Sequence, residues 1–409
     1  MSAASSVSTS SWRTPLIVIL AGCLIAMTGF GIRSIFGLFL EPMTIARGWD
    51  RETFALAMAI QNLLWGLALP LAGAMADRLG PQRVLAFGAV VYALGIWGMA
   101  ESESAGALHL FAGLLTGIGI AFTSFSIAMA AMARVVGQSR RSLAFGLGTA
   151  AGSFGQVVFS PLGLAYIEAF GWNSALLIMA ATSLMILPLA FLLPNDTRAK
   201  GEAPSDQTIS EALREASGHS GYLLLTIGFF VCGFHVAFIT VHFPAYVQDL
   251  GLAPHVGAAS LALIGLFNIV GSFLSGAAGQ RWSKKAGLSA IYFLRALAIA
   301  ALLLAPKTDL TIYLFAGAMG LLWLSTIPLT TGIVAQVFGV RYMAMLFGIV
   351  FFSHQIGSFL GVWLGGLLYD LTGSYDGVWW AGVALGLAAA LVHLPINERP
   401  LARLSPQAT

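Results

Sequence analysis

Charged residues are scarce in this chain. Only 9% of its 409 residues are Asp, Glu, Lys or Arg, whereas 58% are hydrophobic. Soluble globular domains carry about 25% charged residues, so the composition excludes an ordinary soluble domain and is typical of a polytopic membrane protein. The net charge of +3 comes mostly from loop Lys and Arg, so it bears on membrane topology and not on nucleic-acid binding.

Cysteine and catalytic motifs are also rare. Two cysteines, Cys23 and Cys232, fall inside apolar stretches, and they predict neither a disulfide framework nor a metal cluster. No Walker-type Gly-rich loop and no nucleophile–base pair stands out. We therefore expect no enzyme, no ATP-driven pump, no cofactor and no metal. A sensor would be expected to carry a signalling domain, for which the tails are too short.

Long apolar runs dominate what is present. Measured against the ~20 residues that a span needs, they predict an all-α membrane protein with twelve transmembrane helices. The predicted helices are 15–40, 53–75, 82–100, 105–132, 141–167, 173–194, 218–247, 256–280, 285–305, 309–337, 342–369 and 375–395.

One long polar segment divides these helices six plus six. The predicted organisation is an N-terminal tail 1–14, a six-helix bundle 15–194, a linker 195–217, a second six-helix bundle 218–396 and a C-terminal tail 397–409. Because no A-x-A-like site follows the first apolar run, helix 1 is predicted to stay uncleaved.

The distribution of Lys and Arg predicts the orientation. With both termini inside, fifteen Lys and Arg fall in cytoplasmic segments, three fall outside (Arg47, Arg51 and Lys307), and Arg33 and Arg295 lie within the membrane. Positive residues favour the cytoplasmic side. We therefore expect a multi-pass protein of the plasma (inner) membrane with both termini, the linker and both tails in the cytoplasm.

The second half repeats the first at an offset of 202 residues. Matching pairs include glycines, prolines and a Phe-Gly pair: Gly31 and Gly233, Pro42 and Pro244, Phe145-Gly146 and Phe347-Gly348, Gly155 and Gly357. Two parallel six-helix repeats with a binding site between them are typical of secondary transporters. The same register sets Arg33 opposite His235.

Arg33 is the only charge between Leu16 and Leu40. A charge at membrane depth costs at least ~2.5–3.5 kcal/mol on insertion scales, so it usually serves a function. All seventeen acidic residues can be placed in loops or at helix ends, which leaves Arg33 no internal carboxylate. Since a guanidinium grips both oxygens of a carboxylate, we predict that Arg33 anchors an anionic ligand. The alternative is an arginine that snorkels to the outer interface.

The segment between helices 2 and 3 reads GAMADRLGPQR. It resembles the G-x-x-x-D-R-x-G-x-x-R signature of the major facilitator superfamily, whose fold is a pair of pseudo-symmetric six-helix bundles. The signature residues here are Gly73, Asp77, Arg78, Gly80 and Arg83. Glycines permit a tight turn, and Asp77 can accept from a helix N-terminus or pair with arginine. We predict that this loop latches a cytoplasmic gate.

Within that superfamily, the chain resembles the monocarboxylate porters of prokaryotic type. The resemblance rests on residues 33–41, which are similar to their helix 1, on residues 140–155, which are similar to their helix 5, and on the Phe-Gly-Trp turn at 170–172. The porters carry a lysine at the position of Arg33. The resemblance implies facilitated or proton-coupled movement of small monocarboxylates such as lactate or pyruvate.

Helix 8 departs from the porter pattern. An aspartate and an arginine usually occupy the places of Asn268 and Ser272, and that pair is implicated in proton and anion handling. Asn268 cannot titrate, so any proton carrier would be a histidine or the substrate itself. His235 and His354 are the predicted proton-coupling residues because a histidine pKa lies near neutrality.

The remaining candidates are polar residues of helices 1 to 11. Together with Arg33, we predict that the substrate contacts His235, Asn268, His354, Thr123 and Ser126. Each could equally be a packed core residue or a contact between helices. The role of Arg295 is left open between a residue turned toward helix 8 and a structural donor to backbone carbonyls.

These observations predict a secondary transporter that moves a small organic monocarboxylate by alternating access, with proton symport left open. The alternative is an exporter or antiporter of amphipathic or other organic anionic compounds, since drug antiporters share the loop signature. A cationic drug would require a membrane carboxylate, which is missing. The expected partners are the carboxylate, protons if symport applies, and the lipid bilayer, with no nucleic acid; the protein is expected to work as a monomer.

Overall fold

The computed structural model describes residues 14–135, 141–195, 207–339 and 341–404. These residues form helices joined by short turns, and no strand occurs among them. The α-helices are α1 Pro15–Ser34, α2 Leu40–Arg47, α3 Arg51–Leu79, α4 Pro81–Glu101, α5 Ala105–Leu108, α6 Thr116–Phe122, α7 Phe125–Val135, α8 Arg141–Ser183, α9 Ile186–Leu192, α10 Ile209–Ser217, α11 Ser220–Asp249, α12 Pro254–Arg281, α13 Lys284–Leu304, α14 Asp309–Leu322, α15 Thr326–Phe338, α16 Met343–Thr372 and α17 Asp376–His393.

Eleven stretches of the described chain are long and apolar enough to cross a membrane. The stretch Gly146–Leu192 has 47 residues, about twice what one span needs. It turns at Gly171, whose φ of 78° is strained for any residue with a Cβ. This stretch therefore contains the fifth and sixth spans, and the predicted all-α membrane fold is confirmed.

The first span is longer than the predicted 15–40. A 3₁₀ turn at Phe36–Phe39 joins α1 to α2, and the apolar stretch runs over Pro15–Arg47. At 1.5 Å per residue, Arg33 lies about 27 Å from the start of this stretch and about 21 Å from its end. Arg33 is thus near mid-depth, deeper than a span ending at residue 40 places it.

The fourth and tenth spans are interrupted at related positions. Helix α6 ends at Phe122 and α7 begins at Phe125, while α14 ends at Leu322 and α15 begins at Thr326. The offset of 202 residues maps the first break, 123–124, onto 325–326, which overlaps the second break at 323–325. Interrupted helices at the middle of the membrane are where secondary transporters bind their ligands.

The two halves are in close contact toward one side of the membrane. We call the face with both chain ends the terminal side and the opposite face the distal side. Toward the distal side, Gly366 of α16 abuts α3, and near the middle of both helices Gly66 of α3 abuts Gln355, with no room for a side chain at either glycine. Toward the terminal side, Gly73, Gly146 and Gly348 have no neighbouring atom within 4 Å of the position of a Cβ. The halves are therefore closed on the distal side, and space is open beside these three terminal-side glycines.

The described part of the predicted linker contains a short helix, α10, that the polar sequence did not indicate. Thr208 and Glu211 form a capping box at its start. Arg403 of the C-terminal segment pairs with Glu215 of α10 at 2.8 Å and also donates to the Phe338 carbonyl. Residues 196–206 of the linker and 405–409 of the tail lie outside the described residues.

Acidification should release the C-terminal segment from α10. The bond from Arg403 holds the pKa of the Glu215 carboxyl below its usual 4.5. A carboxyl with a lowered pKa stabilises the docked state above 4.5, and this stabilisation is lost as the pH falls through the docked-state pKa. Because both side chains are about a third exposed, we expect an effect below about 1 kcal/mol.

Hydrogen exchange measures this release. After correction for intrinsic rates, the amides of residues 401–404 should lose protection between pH 5 and pH 3. Glu215→Gln should lower their protection at neutral pH and remove its dependence on pH. Equal pH dependence in the wild type and in Glu215→Gln would contradict the assignment.

Candidate functional site

A pocket surrounds Arg33 between the first, second and fourth spans. In this conformation its cavity volume is about 20 Å³, which is room for about one water molecule. Its polar lining is Arg33, Thr123 and Ser124, and its apolar lining includes Phe30 and Trp65. The pocket thus joins a cation at mid-depth to the interruption of the fourth span.

Two residues of α3 position the Arg33 guanidinium. Its Nη2 donates to Asn62 Oδ1 at 2.8 Å, and its Cζ lies 4.5 Å from the centroid of the Trp65 ring. Asn62 and Trp65 are three residues apart and therefore share one face of the helix. The indole face stabilises the cation, and the amide fixes one edge of the guanidinium. The remaining N–H groups stay free to meet a ligand.

Arg33 is 9% exposed, which does not fit a head group that snorkels to the interface. No acidic side chain of the described residues lies within pairing distance of it. A buried cation that is compensated only by an amide and aromatic rings favours an anion as its missing partner. The role of Arg33 as an anion anchor stays a prediction.

The interruption of the fourth span brings Thr123 to the pocket. The Thr123 hydroxyl donates back to the Gly119 carbonyl at 2.8 Å, which closes the end of α6. Ser126 is exposed and is not among the pocket-lining residues, but its hydroxyl lies 2.9 Å from that of Ser124, which does line it. Of the predicted substrate contacts, Arg33 and Thr123 therefore line one pocket. Ser126 lies outside it and is joined to it by the hydrogen bond with Ser124.

His354 is connected to this pocket through two amides. Gln355 Nε2 donates across the interface between the halves to the Asn62 carbonyl at 2.8 Å, and Gln355 Oε1 lies 2.9 Å from His354 Nδ1. Because that oxygen only accepts, Nδ1 is the protonated ring nitrogen. A continuous polar chain thus runs from Arg33 through Asn62 and Gln355 to His354.

The structure places His235 and Asn268 outside the Arg33 pocket. His235 Nε2 lies 2.8 Å from the Gly382 carbonyl, so the ring faces α17 inside the second half. Asn268 donates to Ser153 Oγ at 2.9 Å and accepts from the Leu324 amide at 3.0 Å. Asn268 therefore fastens the interrupted tenth span to α12 and links the two halves through α8.

Asn268→Ala should destabilise the protein by about 2–3 kcal/mol, because it leaves the partly buried Leu324 amide and the buried Ser153 hydroxyl without this partner. A melting temperature lower by about 5 °C is expected. Ser272→Ala is the matched control, since Ser272 also bonds Asn268 Oδ1, at 3.1 Å, but is only partly buried. Equal melting temperatures for the two variants would contradict this role of Asn268.

Arg295 closes the other side of the same interruption. It is fully buried and donates to the carbonyls of Leu322, at 2.7 Å, and Trp323. These carbonyls end α14, where the helix dipole is negative and intrahelical donors are missing. Arg295 therefore lies as expected for a structural donor to backbone carbonyls, the second of the two options left open by the sequence.

A second inter-half contact closes the distal side. Arg51 Nη1 and Nη2 donate to the two carboxylate oxygens of Asp249 at 2.6 and 2.7 Å, and Nη1 also donates to the Tyr375 hydroxyl. Its guanidinium lies 3.8 Å from the Tyr369 ring centroid. The Asp370 carboxylate accepts from the Arg51 and Glu52 amides and so caps α3. We call the Arg51–Asp249 pair the distal latch.

The predicted gate motif forms the turn between α3 and α4. Gly80 has φ 86°, and a Cβ there would collide with the Asn195 side chain, so the tight turn requires glycine. Gln82 donates to the Leu193 carbonyl at 2.6 Å and ties the turn to the end of α9. Asp77 and Arg78 are exposed on the terminal side. A latching role for Gly73, Asp77, Arg78, Gly80 and Arg83 stays a prediction.

The chain belongs to the Major Facilitator Superfamily, whose family model matches residues 19–329 and 225–409. It is 26% identical over 403 residues to the uncharacterized MFS-type transporter YcxA of Bacillus subtilis, covering 96% of this chain and 98% of that protein. It is also 26% identical over 397 residues to monocarboxylate transporter 13 of Rattus norvegicus, covering 93% and 88%.

The fold comparison agrees with this family. A bacterial homolog of the human lysosomal transporter Spinster, solved in an inward-facing and unoccupied conformation, superposes with a TM-score of 0.73 at 16% identity, covering 95% of this chain and 96% of that chain. Family and fold together make this chain a multi-pass membrane transporter and not an enzyme.

Proposed function

We propose that the protein carries a small organic monocarboxylate across the plasma membrane by alternating access. The observation that carries the proposal is Arg33, a cation buried at mid-depth in a pocket beside an interrupted helix, with no carboxylate partner among the described residues. A carboxylate would bind the free N–H groups of the guanidinium in a fork. The names of relatives such as monocarboxylate transporter 13 support the same ligand class.

The pocket favours a ligand with one charge and a short apolar part. Arg33 is its single cation, and Phe30, Trp65 and Phe125 supply aromatic surface around it. Thr123 and Ser124 offer hydroxyls to a second polar group of the ligand, such as the hydroxyl or keto oxygen of a hydroxy or keto acid. A dicarboxylate would leave one charge without a cation.

Orientation and proton coupling extend the proposal. The bias of Lys and Arg toward one side supports a cytoplasmic terminal side, so the closed distal side would face out.

Of the two predicted proton carriers, His354 has the stronger support, because it is joined to Arg33 through Gln355 and Asn62, whereas His235 faces α17.

Reconstituted liposomes test the proposal. Labelled lactate, pyruvate and other short monocarboxylates are offered with and without an imposed pH gradient, with succinate as the dicarboxylate control. Uptake of at least one monocarboxylate is expected. Accumulation driven by the gradient would indicate proton symport, and gradient-independent exchange would indicate antiport. Uptake of lipophilic cations without any carboxylate uptake would overturn the proposal.

A further inference from the structure

Gln355 is a buried amide that joins the two halves of the molecule. It is fully buried on α16, and its Nε2 donates to the Asn62 main-chain carbonyl of α3 at 2.8 Å. A hydrogen bond between a buried side chain of one half and the backbone of the other half can persist only while the halves are in contact there. The bond is therefore lost when α3 and α16 separate.

The partner of Gln355 also holds the anion-binding cation. Asn62 accepts from Arg33 through its side-chain oxygen, donates to the Met58 carbonyl through its side-chain nitrogen, and accepts from Gln355 through its main-chain oxygen. A ligand carboxylate that takes the free Arg33 N–H groups would bind the same guanidinium that Asn62 Oδ1 holds. Asn62, which holds the Arg33 guanidinium, is thus also the residue that accepts the bond between the halves.

Packing around Gln355 supports this role. Its Cβ and Cγ fill the space beside Gly66, where any larger residue on α3 would collide with them. Trp65, which stacks on the Arg33 guanidinium, makes an edge contact with Phe351 of α16, with ring centroids 5.3 Å apart. Both neighbours of Arg33 on α3 therefore contact α16 directly.

We infer that Gln355 is a positioning residue of the transport cycle, which locks the distal side and transmits the occupancy of Arg33 to the contact between the halves. The assignment to Arg33 rests on the proposed function. The lock itself rests on the inter-half bond and packing alone. Loss of one net hydrogen bond should shift the equilibrium between closed and open distal sides about fivefold toward open.

Labelling of a cysteine at position 55 measures this equilibrium. Ala55 is fully buried on α3 against Gly366 of α16, so Ala55→Cys becomes accessible when the distal side opens. Purified protein with no carboxylate present is treated with a polar maleimide, and the protein without Ala55→Cys corrects for the native cysteines. Gln355→Leu should raise the labelling rate about fivefold, and Gln355→Met is measured in parallel in case the leucine variant does not fold.

Gln61→Leu is the matched control. Gln61 is as buried as Gln355 and also donates Nε2 to a main-chain carbonyl, that of Ala112 at 3.0 Å, but within one half. It should leave the labelling rate unchanged. No increase in the Gln355 variants, or the same increase in Gln61→Leu, would overturn the inference. Because the labelling is done without a carboxylate, failure of the proposed function would show separately in the liposome screen.

Discussion

Arg33→Ala should reduce monocarboxylate transport at least about 30-fold in reconstituted liposomes. Truncating one partner of a buried, hydrogen-bonded charge pair costs about 2–5 kcal/mol, and 3 kcal/mol corresponds to a factor of about 150. The loss is expected in transport and not in folding, because removing a buried cation that lacks a carboxylate also removes its desolvation cost.

Arg33→Lys separates charge from geometry. Lysine keeps the positive charge but lacks the planar fork and stacks less well on Trp65, so we expect transport between that of the wild type and that of Arg33→Ala. Melting temperature and elution as a single species control for folding. Transport by Arg33→Ala within threefold of the wild-type rate, in folded protein, would contradict the anchor assignment.

Arg51→Ala should open the distal side more strongly than any change at Gln355. The distal latch combines a bidentate ion pair at 2.6 and 2.7 Å with a bond to Tyr375, and Arg51 and Asp249 have side chains only 12% and 26% exposed. Losing such a pair costs about 2–3 kcal/mol. The labelling rate of Ala55→Cys should therefore rise about 30-fold to 150-fold.

Two further variants identify the latch as the cause. Asp249→Asn should act in the same direction, and combining it with Arg51→Ala should add little, since both changes remove one interaction. Arg47→Ala is the control: Arg47 is a neighbouring arginine on the distal side, but it contacts the Ala100 carbonyl and the Trp172 ring within its own half. Additive effects, or equal labelling in Arg47→Ala, would contradict the latch.

The composition and the internal repeat predicted the fold well. The apolar runs located the spans because a helix needs about 20 predominantly apolar residues to cross the membrane. The structure also interrupts the fourth and tenth spans at positions that nearly match the register of 202 residues. The end of the first span was less predictable, since the apolar run continues through a 3₁₀ turn without a polar break.

The partners of the polar residues were harder to predict. Asn62 and Gln355 are rare amides inside apolar spans, which could have marked them as candidates, but their pairing joins residues 293 positions apart. The sequence places Arg51 in an outside loop, and nothing in it indicates that Arg51 forms an ion pair with Asp249 of the other half. His235 occupies the position that corresponds to Arg33 in the repeat, and yet its ring faces α17. A shared register fixes the position of a residue along its helix, but it does not fix the neighbours of its side chain.

The central claim is that Arg33 binds the carboxylate of the substrate. Equilibrium binding of labelled pyruvate and lactate to purified wild type, Arg33→Lys and Arg33→Ala tests it most directly, with unlabelled carboxylates and a lipophilic cation as competitors. We predict saturable binding to the wild type, displaced by monocarboxylates but not by the cation, weaker binding to Arg33→Lys and none to Arg33→Ala. Equal binding to the wild type and to Arg33→Ala would contradict the claim.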